Sequence, residues 1–361
     1  MWLTLLAPPL ALVAWLAGHP ALPAVALGAV AAPFVFARLM RTLRGERTRA
    51  RHRWMLALGL GAVLLPVVVG GALLALVLPI GTRALGLGAL ASWIVLALHA
   101  RHRAERIDDV SLELALPGLA RAVRLVQLSD VHVGSRDGAF LERVVEQARA
   151  HAPELVVITG DLLDESRVGV TDLAALARFE CPVYLAIGNH ERYVDLDAAL
   201  AAIRRHGVRV LRDEAVEHGP LRLIGIDDRD RPDALPGVLE RLGSDPASVD
   251  VLLYHRPDGW QAARARRIPL TLSGHTHGGQ IWPFGLLVRR QYPDMIGRFE
   301  RDGTTLYVSS GTGTWGPALR LGTRSEMTVI DLVPATTGGA TANGVTVEAA
   351  TVDGTARRTG E

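Results

Sequence analysis

Lysine is absent from this 361-residue chain: all 39 basic residues are arginine. The absence excludes Schiff-base chemistry on a side-chain amine and any phosphate loop built around its lysine, so nucleotide-driven mechanisms of that type fall away. Cysteine is nearly absent too. The lone Cys181 permits no internal disulfide, and its place at the end of a helical pattern, just before an apolar run, is that of a small buried hydrophobe. Acids are scarce in the first 106 positions, which hold 2 against 11 arginines. The remainder carries 28 arginines against 35 acids, so the net charge of +2 conceals a basic first part and an acidic second part. Ionisable side chains that would mark a transport path are missing from the apolar runs of the first part, since His19 and Arg83 fall at expected turns.

What fills the first 106 positions is Ala, Leu, Val and Gly, in apolar runs at about residues 2–17, 21–37, 55–80 and 84–99. We read them as about four membrane-spanning helices in two hairpins. The first, second and fourth must borrow flanking residues to reach the roughly 20 that a bilayer requires. Pro8 and Pro9 weaken the first, and a cleaved signal peptide there would need a positive start that the chain lacks. Arg38, Arg41, Arg44, Arg47, Arg49, Arg51 and Arg53 lie between the second and third runs. Positive-inside bias puts that loop in the cytoplasm, together with the amino terminus and the part that follows Arg101, Arg103 and Arg106. A basic loop can also bind nucleic acid, but between two apolar runs it reads as topogenic or as a contact to anionic lipid. The expected organisation is a multi-pass transmembrane anchor at 1–106, a catalytic domain at 107–335 and a disordered tail at 336–361, where Thr, Gly and Ala dominate without apolar period.

From Arg121 onward, short apolar runs alternate with turns and helical segments. The runs VRLVQL, ELVVIT, PVYLAI, LRLIGI, VDVLLY, IPLTL, TTLYVSS and MTVIDL read as buried strands. Helices are expected at 139–150, at 195–206 with Gly207 as C-cap, and at 259–267. This is an α/β pattern built on more than one sheet or one large one. Five of the strands end directly in clusters of metal-ligand side chains: SDVHVG, TGDLLD, GNHERY, YHRPDG and SGHTHGG. Ligands of open α/β sheets bind beyond the carboxyl ends of the strands, so these clusters should converge on one crevice.

Each cluster has an ordinary explanation when taken alone. Asp130-x-His132 occurs on surfaces, Asp161 and Asn189 follow glycines as turn residues do, and His255 precedes an Arg-Pro turn. Their recurrence at strand end after strand end is what ordinary turns do not explain. Five of the 12 histidines fall in these clusters, and His275 and His277 repeat the alternate spacing of Asp130 and His132. Two Asp, one Asn and four His, with His190 to spare, are too many ligands for one ion and suit two. Nitrogen and oxygen donors without thiolate select divalent Mn, Fe, Zn, Co or Ni over Ca or Mg. Two such ions bridged at roughly 3.5–4 Å acidify bound water and clamp the oxygens of an in-line displacement, which describes hydrolysis of a phosphate ester.

The ordered set Asp-x-His, Gly-Asp, Gly-Asn-His, a lone His and Gly-His-x-His, running from Asp130 to His277, strongly resembles the calcineurin-like metallophosphoesterase superfamily. SGHTHGGQIWPFG and the tethered layout look most like its membrane-associated bacterial YkuE/YaeI-like group. The resemblance covers about residues 121–333 and implies two stacked mixed β-sheets flanked by helices. It further implies Asp130, His132, Asp161 and His277 on one metal, and Asp161, Asn189, His255 and His275 on the other, with Asp161 as the bridge. His190 would be the unligated histidine that donates a proton to the leaving oxygen. Where many relatives have aspartate after that histidine, this chain has Glu191, which leaves open what orients His190. Asp164 supports Asp161 or starts the next segment. Trp282, Phe284, Tyr292 and Trp315 line a leaving-group pocket or simply pack. Gly278 and Gly279 allow a sharp turn.

The expectation is thus a membrane-anchored, dinuclear-metal-dependent phosphoesterase of the cell membrane, acting from the cytoplasm on a lipid-linked or nucleotide-linked mono- or diester. A cyclic-nucleotide or nucleic-acid phosphodiesterase is the alternative, disfavoured by the net acidic second part, so no specific nucleic-acid partner is expected. A non-catalytic metal-binding scaffold is the third reading, disfavoured by the intact ligand set and by His190.

Overall fold

The apolar first part folds where its backbone can close its own hydrogen bonds. The structure, a computed structural model, describes residues 7–19, 48–164, 170–229 and 232–335. Helix α1 (Ala7–Leu16) starts on Pro8 and Pro9, which need no intrahelical partner in a first turn, and ends before Gly18 at φ +83°. Helices α2 (Thr48–Val77) and α3 (Thr82–Glu105) follow as a hairpin. Within α2, the 23-residue stretch Met55–Val77 holds an 18-residue window of mean hydropathy 2.6, and the 24-residue α3 holds one of 1.5, so both are long and apolar enough to cross a membrane. Among the described residues these are two candidates, where four were expected in the whole chain. Of the first run the described residues give the ten-residue α1, about 15 Å long; residues 2–6 of that run, the whole run at 21–37 and the tail at 336–361 lie outside the described residues. Leu12 and Trp15 of α1 pack on Leu64 and Leu85. A Cβ on Gly86 would lie 2.8 Å from the backbone nitrogen of Leu16, so α1 and α3 meet backbone to backbone.

After α3 come β1 (Ile107–Leu116), β2 (Val123–Leu128), α4 (Gly138–Ala150), β3 (Leu155–Ile158), β4 (Val183–Ala186), α5 (Leu196–Arg204) and β5 (Val208–Leu211). They are followed by β6 (Glu214–His218), β7 (Leu221–Gly225), α6 (Leu235–Leu242), β8 (Val249–Leu253), α7 (Trp260–Ala265), β9 (Leu270–Ser273), α8 (Gly285–Gln291), β10 (Gly297–Arg301), β11 (Thr304–Val308) and β12 (Ser325–Pro334). Two six-stranded mixed sheets result, in the orders β1-β12-β2-β3-β4-β5 and β10-β11-β9-β8-β7-β6. The expected stacked pair of mixed sheets is what forms.

Leu125, Leu155, Leu223, Val251 and Leu270 fill the space between the sheets. The outer face of the first sheet is covered by α4, α5 and a 3-10 segment at 170–178 through Phe140, Val144, Leu173 and Leu200, and that of the second by α6 and α7 through Leu235, Val238 and Trp260. Burial on both faces explains why the central parallel strands read as unbroken apolar runs.

All eight strands expected from apolar runs are present. The four not anticipated, β1, β5, β6 and β10, are the four sheet edges. Edge strands bury less of themselves and carry charge, as in IDDVSLELAL, EAVEH and GRFER, which masks the apolar signal.

Register decides where the strand ends point. Leu128 pairs with Ile158 and Ile158 with Leu185, while Leu253 pairs with Leu272, so the parallel strands of each sheet finish level with one another. Gln127 Nε2 donates to Thr159 Oγ1 and to the Ser273 carbonyl, both at 3.0 Å, and ties the two sheets together beside those ends.

Candidate metal centre

Beyond β2, β3, β4, β8 and β9 the chain turns at once, and the turns supply the side chains. Asp130, His132, Asp161, His275 and His277 all have left-handed backbone, with φ of 52°, 56°, 54°, 71° and 50°. Side-chain-bearing residues rarely adopt this conformation, at a cost of about 1 kcal/mol or more each. Neighbouring glycines make room for the side chains so aimed. A Cβ on Gly188 would lie 2.2 Å from Asp161 Oδ1, and one on Gly274 would lie 2.2 Å from Asp130 Oδ2.

The structure brings all seven expected ligands and His190 together. Ligand atoms of Asp130, His132 and His277 lie within 4.8 Å of one another, as do those of Asp161, His255 and His275, and those of His132, Asp161 and His190. His132 Nε2 faces His277 Nε2 at 2.9 Å, and His277 Nε2 is 3.3 Å from Asp130 Oδ1. On the other side, His255 Nε2 is 3.1 Å from both Asp161 Oδ2 and Asn189 Oδ1, and 3.2 Å from His275 Nδ1. Asp161 Oδ2 is also 4.0 Å from His132 Nε2, which places this carboxylate between the two groups. Asp130, His132 and His255 are fully buried.

Partners behind the rings fix which nitrogen faces inward. His255 Nδ1 donates to the Thr159 carbonyl at 2.8 Å, which turns Nε2 toward the centre. His132 Nδ1 donates to Asp164 Oδ1 at 2.6 Å, with the same result. His275 turns Nε2 to the Tyr292 hydroxyl at 3.1 Å, so Nδ1 faces the centre. The nitrogens that converge are those able to ligate.

Charge favours a cation here. Burial opposes protonation of His132, yet Asp164, Asp161 and Asp130 outweigh it and push the imidazole up to about 9. Burial likewise opposes charge on His255, and Asp161 overrides it and raises that ring well above its ordinary value. Their partners go the other way: burial and His255 push His275 down to about 3, and burial and His132 hold His277 well below the histidine range. Each imidazole pair therefore favours one positive charge among buried carboxylates. A divalent ion satisfies the same attraction while using all the converging lone pairs, so the donor set fits nitrogen- and oxygen-ligated metal.

The residue that orients His190 is Asp164. One oxygen, Asp164 Oδ1, accepts from His190 Nδ1 at 2.5 Å and from His132 Nδ1 at 2.6 Å, while Oδ2 accepts from Ser135 Oγ. Burial resists the charge on Asp164, but His132 and His190 hold it far below the usual carboxylate range. Glu191 serves the backbone instead. It is fully buried and accepts from the amides of Asp161, Leu163 and Gly188 at 3.0, 2.9 and 2.9 Å, bracing the turns that carry Asp161 and Asn189.

Sequence reasoning missed Arg320. Its buried guanidinium donates to the carbonyls of Ser310, Gly311 and Gly313 at 2.7, 3.0 and 2.7 Å. That holds the loop whose Gly313 amide donates to the Asp130 carbonyl at 3.0 Å. The Gly311-Thr312-Gly313 spacing after a strand was the available signal. Of the four aromatics, Trp315 lies beside His190 with ring centroids 6.2 Å apart, Phe284 packs near α2 and α3, and Trp282 is half exposed. Gly278 and Gly279 do turn sharply, at φ +59° and +83°.

A model of the calcineurin-like phosphoesterase family matches residues 123–279, the stretch that carries every one of these ligands. An uncharacterized metallophosphoesterase of Campylobacter jejuni is 32% identical over 232 residues, 62% of this chain and 62% of its own length. Another from Aquifex aeolicus is 31% identical over 248 residues, 63% of this chain and 91% of its own. A transmembrane protein with metallophosphoesterase domain from Danio rerio is 34% identical over 251 residues, 63% of this chain and 57% of its own. The chain thus spans about 62% of the Campylobacter and Helicobacter relatives that it matches. Sheet architecture, ligand order and these likenesses agree: the chain belongs to the calcineurin-like metallophosphoesterase family.

Proposed function

We propose that this protein is a membrane-anchored phosphoesterase that uses two divalent metal ions to hydrolyse phosphate mono- or diesters. The observation that carries the reading is the position of Asp161 Oδ2 between two imidazole groups, 3.1 Å from His255 Nε2 and 4.0 Å from His132 Nε2. Asp130, His132, Asp161 and His277 would hold one ion, and Asp161, Asn189, His255 and His275 the other. Bound ions of the Mn, Fe, Zn, Co or Ni type would supply Lewis-acid polarisation of the phosphoryl oxygens and an acidified nucleophilic water. The chain's own residues do the rest. His190, held by Asp164, delivers a proton to the departing oxygen, and Trp315 borders the space into which that group leaves.

Residues 1–106 form the anchor in this reading, 107–335 the catalytic domain, and the arginine-rich segment ahead of Met55 puts the domain on the cytoplasmic side. Two helices able to cross a membrane and relatives named as transmembrane proteins support the anchor. The test is metal analysis and turnover of the full chain in detergent. Two equivalents of metal, with Mn-dependent cleavage of bis-p-nitrophenyl phosphate or its monoester, are expected. His190→Ala should lower turnover and keep the metal. Metal binding without cleavage of any ester would favour the scaffold reading instead.

A further inference from the structure

The rim of the metal centre is built on the apolar hairpin. From Gly313 the chain passes Trp315, beside His190, and reaches α2, where a Cβ on Gly59 would lie 2.8 Å from Pro317 and one on Gly316 would lie 2.9 Å from Met55 Sδ. Ile281, Phe284 and Leu319 pack with Ala62, Val63, Ala97 and Ala100, and the Arg320 amide donates to the Ala100 carbonyl at 2.8 Å. At this same height the outer face of α3 is bare: Ile94, Val95 and Leu98 are 46%, 64% and 67% exposed. Side chains of that kind at that level require apolar cover. Arg101 follows within one turn, so the polar boundary lies close by.

Helix α8 begins directly after Phe284, at that height. Among its described side chains none is buried. Leu286 and Leu287 are 66% and 67% exposed, and Trp282 ahead of them is 50% exposed. Arg289 and Arg290 stand three residues further on the same face, so apolar side chains lie nearer the hairpin and basic ones beyond them. An indole, two leucines and then two arginines is the composition of a segment lying in a membrane interface, where each arginine strengthens attraction to anionic lipid about fivefold.

We propose that Trp282, Leu286 and Leu287 dock into the bilayer surface, with Arg289 and Arg290 among anionic headgroups, so that the cleft beside His190 and Trp315 receives a phosphate ester borne by a membrane lipid. Continuity with the hairpin's exposed apolar face is what commits this surface to lipid. The substrate half rests on the phosphoesterase reading; the docking half does not.

The experiment uses the full chain in vesicles of phosphatidylcholine and phosphatidylglycerol, in a Cys181→Ala background. A nitroxide on Leu287→Cys should collide with dissolved oxygen more than with a water-soluble nickel chelate. A nitroxide on Glu180→Cys, exposed at the opposite, amino-terminal edge of the strands, should show the reverse. Free access of the chelate to Leu287→Cys, or shielding from both probes by protein, overturns docking. In the second arm, Leu286→Glu with Leu287→Glu should lower kcat/KM for phosphatidyl-p-nitrophenol in vesicles about tenfold and leave hydrolysis of soluble bis-p-nitrophenyl phosphate unchanged. Equal loss on both esters, or on neither, overturns the lipid substrate. Failure of the wild-type chain to cleave any ester sinks the phosphoesterase reading, and the nitroxide result still decides docking.

Discussion

The proposed proton path through Asp164 and His190 can be separated from metal binding by varying the leaving group. His190 Nδ1 is 2.5 Å from Asp164 Oδ1, and the same oxygen holds His132 Nδ1 at 2.6 Å, so one carboxylate orients both the proposed proton donor and a proposed metal ligand. An alkyl alkoxide leaves only when protonated in the transition state, whereas p-nitrophenolate departs readily as its anion. Loss of a positioned general acid costs about 10²–10⁴ in rate, or about 3–5 kcal/mol of barrier. His190→Ala should therefore cut kcat by that factor for an alkyl phosphate ester and by less than about tenfold for the p-nitrophenyl ester.

Asp164→Asn leaves an amide oxygen that still accepts both N–H groups but without charge, roughly halving each bond's strength. Its penalty on the alkyl ester should be intermediate, about 10–100-fold. Combined with His190→Ala it should add only what the weaker hold on His132 costs, because the two changes share one proton path. The assay is steady-state kinetics of the full chain with Mn on both esters, alongside metal content by mass spectrometry. A loss in His190→Ala that is the same for both leaving groups, or that tracks departing metal, would refute the reasoning.

Three further outcomes are expected. Exhaustive chelation should abolish turnover and Mn should restore it; the native chain should bind two equivalents and His255→Ala one, whereas a single equivalent in the native protein would contradict a dinuclear centre. Glu191→Ala removes the acceptor of three buried amides, so thermal unfolding followed by circular dichroism should show a loss of several kcal/mol at about 1–3 per unsatisfied group; Glu191→Gln should lose less, and an unchanged transition in the alanine variant would show that the amides find other partners. Gly188→Ala drives a Cβ to 2.2 Å from Asp161 Oδ1, so bound metal should fall while the circular dichroism spectrum stays native, and full metal retention would mean that the turn relaxes freely.

The four sheet edges show why part of this fold was hidden in the sequence. Central strands such as LVVI and VYLA are buried on both faces and announce themselves by composition. EAVEH and GRFER pair along one side only, keep charge on the other, and look like turns until a neighbour is known. A comparable limit applied to Asp164. Its spacing three residues after Asp161 was visible, but that one oxygen serves two histidines depends on how the strand ends are brought level. Glu191 was visible as a departure from the family pattern, and only its depth reveals that it serves amides rather than His190.

Composition and order alone determined the α/β class, the apolar hairpin and the clusters of candidate ligand residues at the strand ends, because each is written in side-chain chemistry or in local periodicity. Which atoms meet was decided in three dimensions. Parallel register aligns the strand ends, left-handed turns aim the side chains, and buried carbonyls and carboxylates select the ring nitrogens that face inward. The height of the catalytic domain on α2 and α3 was settled there as well, since packing between Phe284 and the hairpin joins residues nearly two hundred positions apart along the chain and leaves no trace in either segment alone.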